Sequence, residues 1–336
     1  MIHSGEYTQL KRGCTQLYQV DTVSINAGLL GQYAYITKAK NEERRENFRD
    51  FFDPHDLDLL GEENFGILEF GSGGRLECGP DSQMDLIIIS DDDDDAKIRV
   101  IADHINDRYK RVVFETDFKL LGTDSIVNYQ NNPHNPRPSR SYDANLIMGD
   151  KSGKLVKLFQ KDLVQEVKAK GKNIQDQVRS RVRQFKQISR DNGCQQYGGQ
   201  VLQHFDLDEG VMSYDPSKRL GSFKYGPLRM VQMQVAADIT KTIRHYDSPE
   251  GFVERMPKNT VDKLLYFYAE NLSRLPESEI RELGENYDFF LWLYHKSQHA
   301  YFENKVSEVE ICDPQIVRER MNNTIKLVEG SITNTK

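Results

Sequence analysis

The residues of this chain best suited to chemistry sit in two stretches, "GILEFGSGGRLECGPDSQMDLIIIS" at 66–90 and "VVFETDFKLLG" at 112–122. In the first, an apolar run breaks at Gly71-Ser72 and a second apolar run opens at Asp85. Backbone N–H groups at such a strand-to-helix turn can bind phosphate oxygens. In the second, the alternation of a strand puts Glu115, Asp117 and Lys119 on one face and Thr116 and Phe118 on the other. Carboxylates on two adjacent strands would then hold a divalent cation against a phosphate seated on that turn. Taken singly, the turn reads as a tight connection and the charged face as a solvated edge strand. Their order along the chain is what points to phosphate chemistry.

Two common phosphate loops are excluded. A P-loop needs Lys-Ser/Thr after its second spaced glycine, and a dinucleotide fingerprint needs glycine where this chain has Leu76. Arg75 and Glu77 either pair at the start of the helix or line the site. Lys119 either contacts phosphate or is a solvated edge lysine.

The elements that must hold these residues follow from composition and pattern. A chain of 336 residues can form two domains, or one with a substantial extension. With a formal net charge of -7 it shows no global footprint for phosphate backbones, so no nucleic-acid partner is expected. Cys14, Cys78, Cys194 and Cys312 lie far apart without metal-ligand spacing, which fits a reduced compartment. The N-terminus lacks the apolar core of a signal peptide and no run approaches eighteen apolar residues. A cytoplasmic protein with no membrane partner is expected.

Periodicity predicts a helical lead-in over 21–52, strands over 65–70, 86–90 and 111–120, and a helix over 96–109. A Pro/Asn-rich loop covers 128–143. Helices follow over 144–167, 174–188, 228–246, 260–272, 277–302 and 315–328. The run Asp91–Asp95 reads as a solvated loop, and no internal repeat is evident. The expected fold is α+β: a helical lead-in (1–55), a small mixed-sheet domain (56–150) and a helical domain (151–330).

"GSGGRLECGPDSQMDLIII" and "FETDFKLLG" together resemble the DNA polymerase beta-type nucleotidyltransferase superfamily. The resemblance is to its bacterial regulatory branch, which includes glutamine-synthetase adenylyltransferase, PII uridylyltransferase and related putative nucleotidyltransferases. "SRSYDANLIMGD" and "GSFKYGPLRMVQMQ" are similar to later segments of that branch, so four motifs run in order from about Gly66 to Gln234. The resemblance implies Mg²⁺-dependent transfer of a nucleoside monophosphate from a triphosphate such as ATP to a hydroxyl, with a protein as the leading acceptor. It implies that Asp85 bridges the metals and that Asp117 is the third carboxylate.

The chain departs from the family where the first aspartate of Asp-x-Asp is replaced by Gln83. An amide oxygen carries no charge, and hard cations favour anionic ligands. Asp81, two residues before Gln83, and Glu115, on the same strand face as Asp117, are the carboxylates that could compensate. A degenerate, nucleotide-binding regulatory module is therefore the alternative. Arg140, Lys224 and Arg229 either approach the nucleotide or fix the interface between sheet and bundle. Trp292 reads as bundle core, and His295 and His299, four apart, lack a third metal ligand.

Overall fold

In a computed structural model of the chain, the described residues are 33–49, 65–79, 85–90, 142–190, 196–197, 200–201, 205–206, 211–213, 224–304, 308–310 and 314–330. The elements begin with α1 (Tyr33–Arg49), β1 (Phe65–Phe70), the single helical turn α2 (Gly71–Gly74), β2 (Asp85–Ser90), β3 (Asn145–Gly149) and α3 (Lys154–Arg190). Short strands β4 (Gln196–Tyr197), β5 (Gln200–Val201), β6 (Phe205–Asp206) and β7 (Val211–Ser213) come next. A π-type turn, Lys224–Leu228, leads into α4 (Arg229–His245), α5 (Glu250–Arg255), α6 (Thr260–Ala269) and α7 (Glu277–Asn304), then β8 (Glu308–Glu310) and α8 (Pro314–Gly330). The described part is mostly helical with small antiparallel sheets, α+β in a coarse sense.

β1 is the centre of the main sheet, whose order is β2-β1-β3. Its six residues are all buried. Strand alternation sends Leu68 and Phe70 into an apolar cluster with Ile89, Leu155 and Phe159, and turns Glu69 to the opposite face, towards α1. Both described ladders of this sheet are antiparallel, where a mixed sheet was expected. The strand expected over 111–120, the helix over 96–109 and the aspartate run lie outside the described residues.

Two helix boundaries differ from expectation. Residues 145–149 form β3, and the helix predicted from 144 starts only at Lys154. "NLIMG" is a short apolar run that periodicity cannot assign, and its ladder on β1 decides for strand. Asp150 starts the helix, its Oδ1 and Oδ2 accepting from the N–H groups of Leu155 and Val156 at 3.0 and 2.8 Å. The helices predicted to end at 167 and restart at 174 are one 37-residue helix, α3. Gly171, in the supposed gap, lies where the Arg244 side chain of α4 crosses, and a Cβ there would run into it.

Helices α3, α4, α6, α7 and α8 share one apolar core built on residues such as Ile243, Leu283, Phe290 and Val317. Trp292 packs at the edge of that core. Among the described residues, no helix is long and apolar enough to cross a membrane.

Candidate functional site

The glycine turn is shaped by contacts that forbid side chains. Gly71 has φ +62, a left-handed conformation that glycine adopts at no steric cost. Gly73 is pressed on the Glu69 carboxylate and Gly74 on the Asp143 carbonyl, so a Cβ at either position would collide. Both are buried, while Gly71 and Ser72 stay half-buried. Leu76, with φ +61, is a buried left-handed residue at the exit of the turn, a local strain that only a well-packed surround sustains.

The β1–β2 register pairs Phe70 with Asp85. The backbone therefore brings Asp85 to the same end of the sheet as Gly71-Ser72. Asp117, Gln83, Glu115, Lys119, Asp81 and Arg140 lie outside the described residues. Among the described residues, no group of three His, Cys, Asp or Glu side chains could hold a metal ion.

Beneath the turn lies a buried polar brace with two parts. On one side the fully buried Glu69 carboxylate accepts from Arg44 at 2.6 Å and Arg45 at 3.2 Å, and Arg45 also donates to the Gly73 carbonyl at 2.7 Å. Asn41 of α1 accepts from the Cys78 N–H at 3.2 Å. The segment expected as a lead-in thus clamps the turn from entry to exit.

On the other side, Arg75 donates to Glu77 at 2.8 Å and to Asp143 at 2.6 Å. The structural pairing of Arg75 with Glu77 is the one the molecule displays. Lys263, 1% exposed, donates to the other Asp143 oxygen at 2.6 Å. Glu77 also accepts from the Thr260 N–H at 2.8 Å and the Tyr287 hydroxyl at 2.7 Å. Burial alone would raise the Asp143 pKa, but Lys263 and Arg75 hold it below the usual carboxylate range. Burial likewise works against the Arg75 charge, yet Asp143 and Glu77 carry its pKa above the ordinary value.

Sequence reasoning singled out Arg75 and Glu77 but missed Glu69, Arg44, Arg45, Asp143, Lys263 and Tyr287. One signal was present: Glu69 is a lone charge inside an otherwise apolar strand, directly before the turn. A buried charge at such a place needs a partner.

The remaining candidates fall on the bundle side. Lys224 lies 5.9 Å from the Tyr294 ring centroid, and Arg229 donates to Gln232 at 3.0 Å, which itself donates to the Tyr287 hydroxyl at 2.7 Å. Lys224 thus lies against α7, and Arg229 is linked through Gln232 to Tyr287, a partner of Glu77. His295 is buried, with Nδ1 at 2.9 Å from the Tyr33 hydroxyl; burial, with Lys40 and Lys224 adding to it, pushes its pKa down to about 3. A cavity of about 20 Å³, room for one water, lies behind the sheet between Leu68, Tyr142, Gln160 and Lys258. Burial, with neighbouring Lys263, lowers the Lys258 pKa to about 8, and its ammonium donates to the Ala144 carbonyl at 2.7 Å.

No protein-family model matches the chain, and no curated protein matches it.

Proposed function

We propose that the chain is a nucleotidyltransferase that moves a nucleoside monophosphate from a nucleoside triphosphate to a hydroxyl of a protein or small-molecule acceptor. The observation that carries this reading is the juxtaposition of Asp85 with Gly71-Ser72, fixed by the pairing of Phe70 with Asp85. The acceptor oxygen bonds to the α-phosphorus, the bond to the β-phosphate oxygen breaks, and pyrophosphate leaves. Gly71 and Ser72 seat the phosphates. Arg75 serves as a positioning residue, because its guanidinium is taken up by Glu77 and Asp143.

The donor set Asp85, Asp117 and Gln83, with Glu115 beside it, is hard oxygen, the kind Mg²⁺ or Mn²⁺ takes. The ion would neutralise charge on the phosphates and lower the pKa of the attacking hydroxyl. Gln83 favours a second reading, a nucleotide-binding regulatory module with weak or no turnover, since one anionic ligand is missing.

Incubation with each α-labelled nucleoside triphosphate, a divalent cation and a cell extract separates the two. Label transfer by the parent that is lost in Asp85→Asn and Asp117→Ala supports the transferase. Transfer by Gln83→Asp alone supports the module. Silence from every variant, with no triphosphate binding by the parent, overturns both.

A further inference from the structure

The long helix α3 carries a feature that the proposed transfer chemistry does not use. It holds eleven Lys and Arg against three Asp and Glu, in a chain whose net charge is -7. The negative excess therefore lies elsewhere. Within α3 the octets "VKLFQKDL", "VKAKGKNI" and "VRSRVRQF" start at 156, 167 and 178 and form an eleven-residue repeat, where no internal repeat was expected. Each begins with valine, carries a cation at its second and sixth positions, and ends on Leu163, Ile174 or Phe185.

Eleven residues make just over three full turns, so equivalent positions stay on one side of the helix. Leu163, Ile174 and Phe185 are buried in the bundle core. The six cations Lys157, Lys161, Lys168, Lys172, Arg179 and Arg183 are all exposed. At about 100° and 1.5 Å per residue they fall within a sector of roughly 80° and extend over about 39 Å. The period that buries the apolar face also aligns the cations.

The acids on this helix do little to neutralise the row. Asp162 and Glu166 are half-buried, and Asp176 is exposed between Lys172 and Arg179. The row is also reinforced from outside. Lys241 of α4 has its pKa pushed down by burial, opposed by Asp238, with Arg179 and Arg274 adding to the fall. Lys241 and Arg274 thus add positive charge beside Arg179, with Asp238 opposing them.

We infer that this face of α3 is a docking track for the phosphate backbone of a nucleic-acid duplex. A long row of cations on a single helix suits a stiff polyanion. Single-strand binding relies on aromatic platforms, and the exposed large apolar residues of the described part are Tyr246, Tyr268 and Ile316, none of them on α3. The apolar face of α3 is committed to the bundle, so the helix has nothing to insert into a membrane. Spacings of about 6 Å within a pair and 16 Å between pairs bracket the roughly 12 Å width of a duplex major groove. The net charge that argued against a nucleic-acid partner averages over this asymmetry.

The test is fluorescence anisotropy of the full chain with a labelled duplex of about twenty base pairs, from 50 to 200 mM salt. Six phosphate contacts give a log–log salt slope near 5, about a thousand-fold weakening over that range. The triple variant Lys172→Gln/Arg179→Gln/Arg183→Gln should lower the slope to about 3 and bind at least ten-fold more weakly at 50 mM salt. Arg281→Gln/Lys326→Gln, on α7 and α8, should bind as the parent does. No binding by the parent, or equal losses in the triple and control variants, overturns the proposal. Tighter binding to a single strand of equal length, or to phosphatidylserine vesicles, overturns the duplex as occupant.

Discussion

The underside of the glycine turn and the core of the bundle are equally buried but built on opposite principles. The bundle core joins interchangeable apolar surfaces such as Leu283, Phe290 and Ile243. The turn rests on specific charges: Glu69 held by two arginines, and Asp143 held between Arg75 and Lys263. An apolar core tolerates repacking, because its contacts are non-directional. A buried charge set holds only one arrangement, because each partner removed strands another. The specific charges are thus concentrated beneath the turn, at the end of the sheet where Phe70 pairs with Asp85.

The largest effect that would break this contrast is at Asp143. Asn at this position keeps the shape but leaves the Lys263 ammonium, 1% exposed, without its carboxylate. Asp143→Asn should cost about 3–5 kcal/mol in chemical denaturation. Adding Lys263→Met should restore part of that loss, a coupling of roughly 1–3 kcal/mol in a double-mutant cycle. Additive losses at these two sites would place the brace on the same footing as the bundle.

In the bundle, Leu283→Ala should cost about 2–5 kcal/mol through lost burial and the residual cavity. Paired with a distant core change, Val317→Ala, it should be additive within about 0.5 kcal/mol if the two sites relax independently. The cost at Leu283 can rival that at Asp143. The distinction lies in the coupling.

The same contrast explains what was legible in the sequence. Helices α4, α6, α7 and α8 were predicted within a few residues, because one repeating pattern specifies both helix and buried face. The turn and Asp85 could be named because they adjoin in sequence, and the ladder that joins them follows from two apolar runs. The brace could not. Glu77 meets Tyr287 across 210 positions and Asp143 meets Lys263 across 120, and no local period encodes such a choice of partner. The basic row of α3 escaped for another reason: it becomes a row only once 154–190 is seen as one helix.

Smaller in effect is the acid response at His295, where the α1 end of the brace meets α7. Its folded pKa, about 3, lies below the ordinary histidine value of 6.5, so the unfolded chain binds more protons between those values. Stability from this group is present above about 6.5 and is lost as pH falls towards 3. Unfolding midpoints for the parent and His295→Gln should converge on acidification. Parallel curves would mean that the imidazole is not held neutral against Tyr33.

The smallest expected effect uses α1 alone, because that helix makes both kinds of ion pair. Lys38 meets Asp262 of α6 at 3.5 Å with side chains 38% and 43% exposed, whereas Arg45 meets Glu69 with 8% and 0%. Solvent and salt screen the first pair, and holding two long side chains costs entropy, so Lys38→Ala should change stability by about 0–1 kcal/mol. Arg45→Met should cost several times more, since it strips a charge partner from Glu69 and a donor from the Gly73 carbonyl. The two variants share a helix, so fraying of α1 would lower both equally. A loss confined to Arg45→Met ties the stability of α1 to the turn it clamps, and makes that helix part of the site.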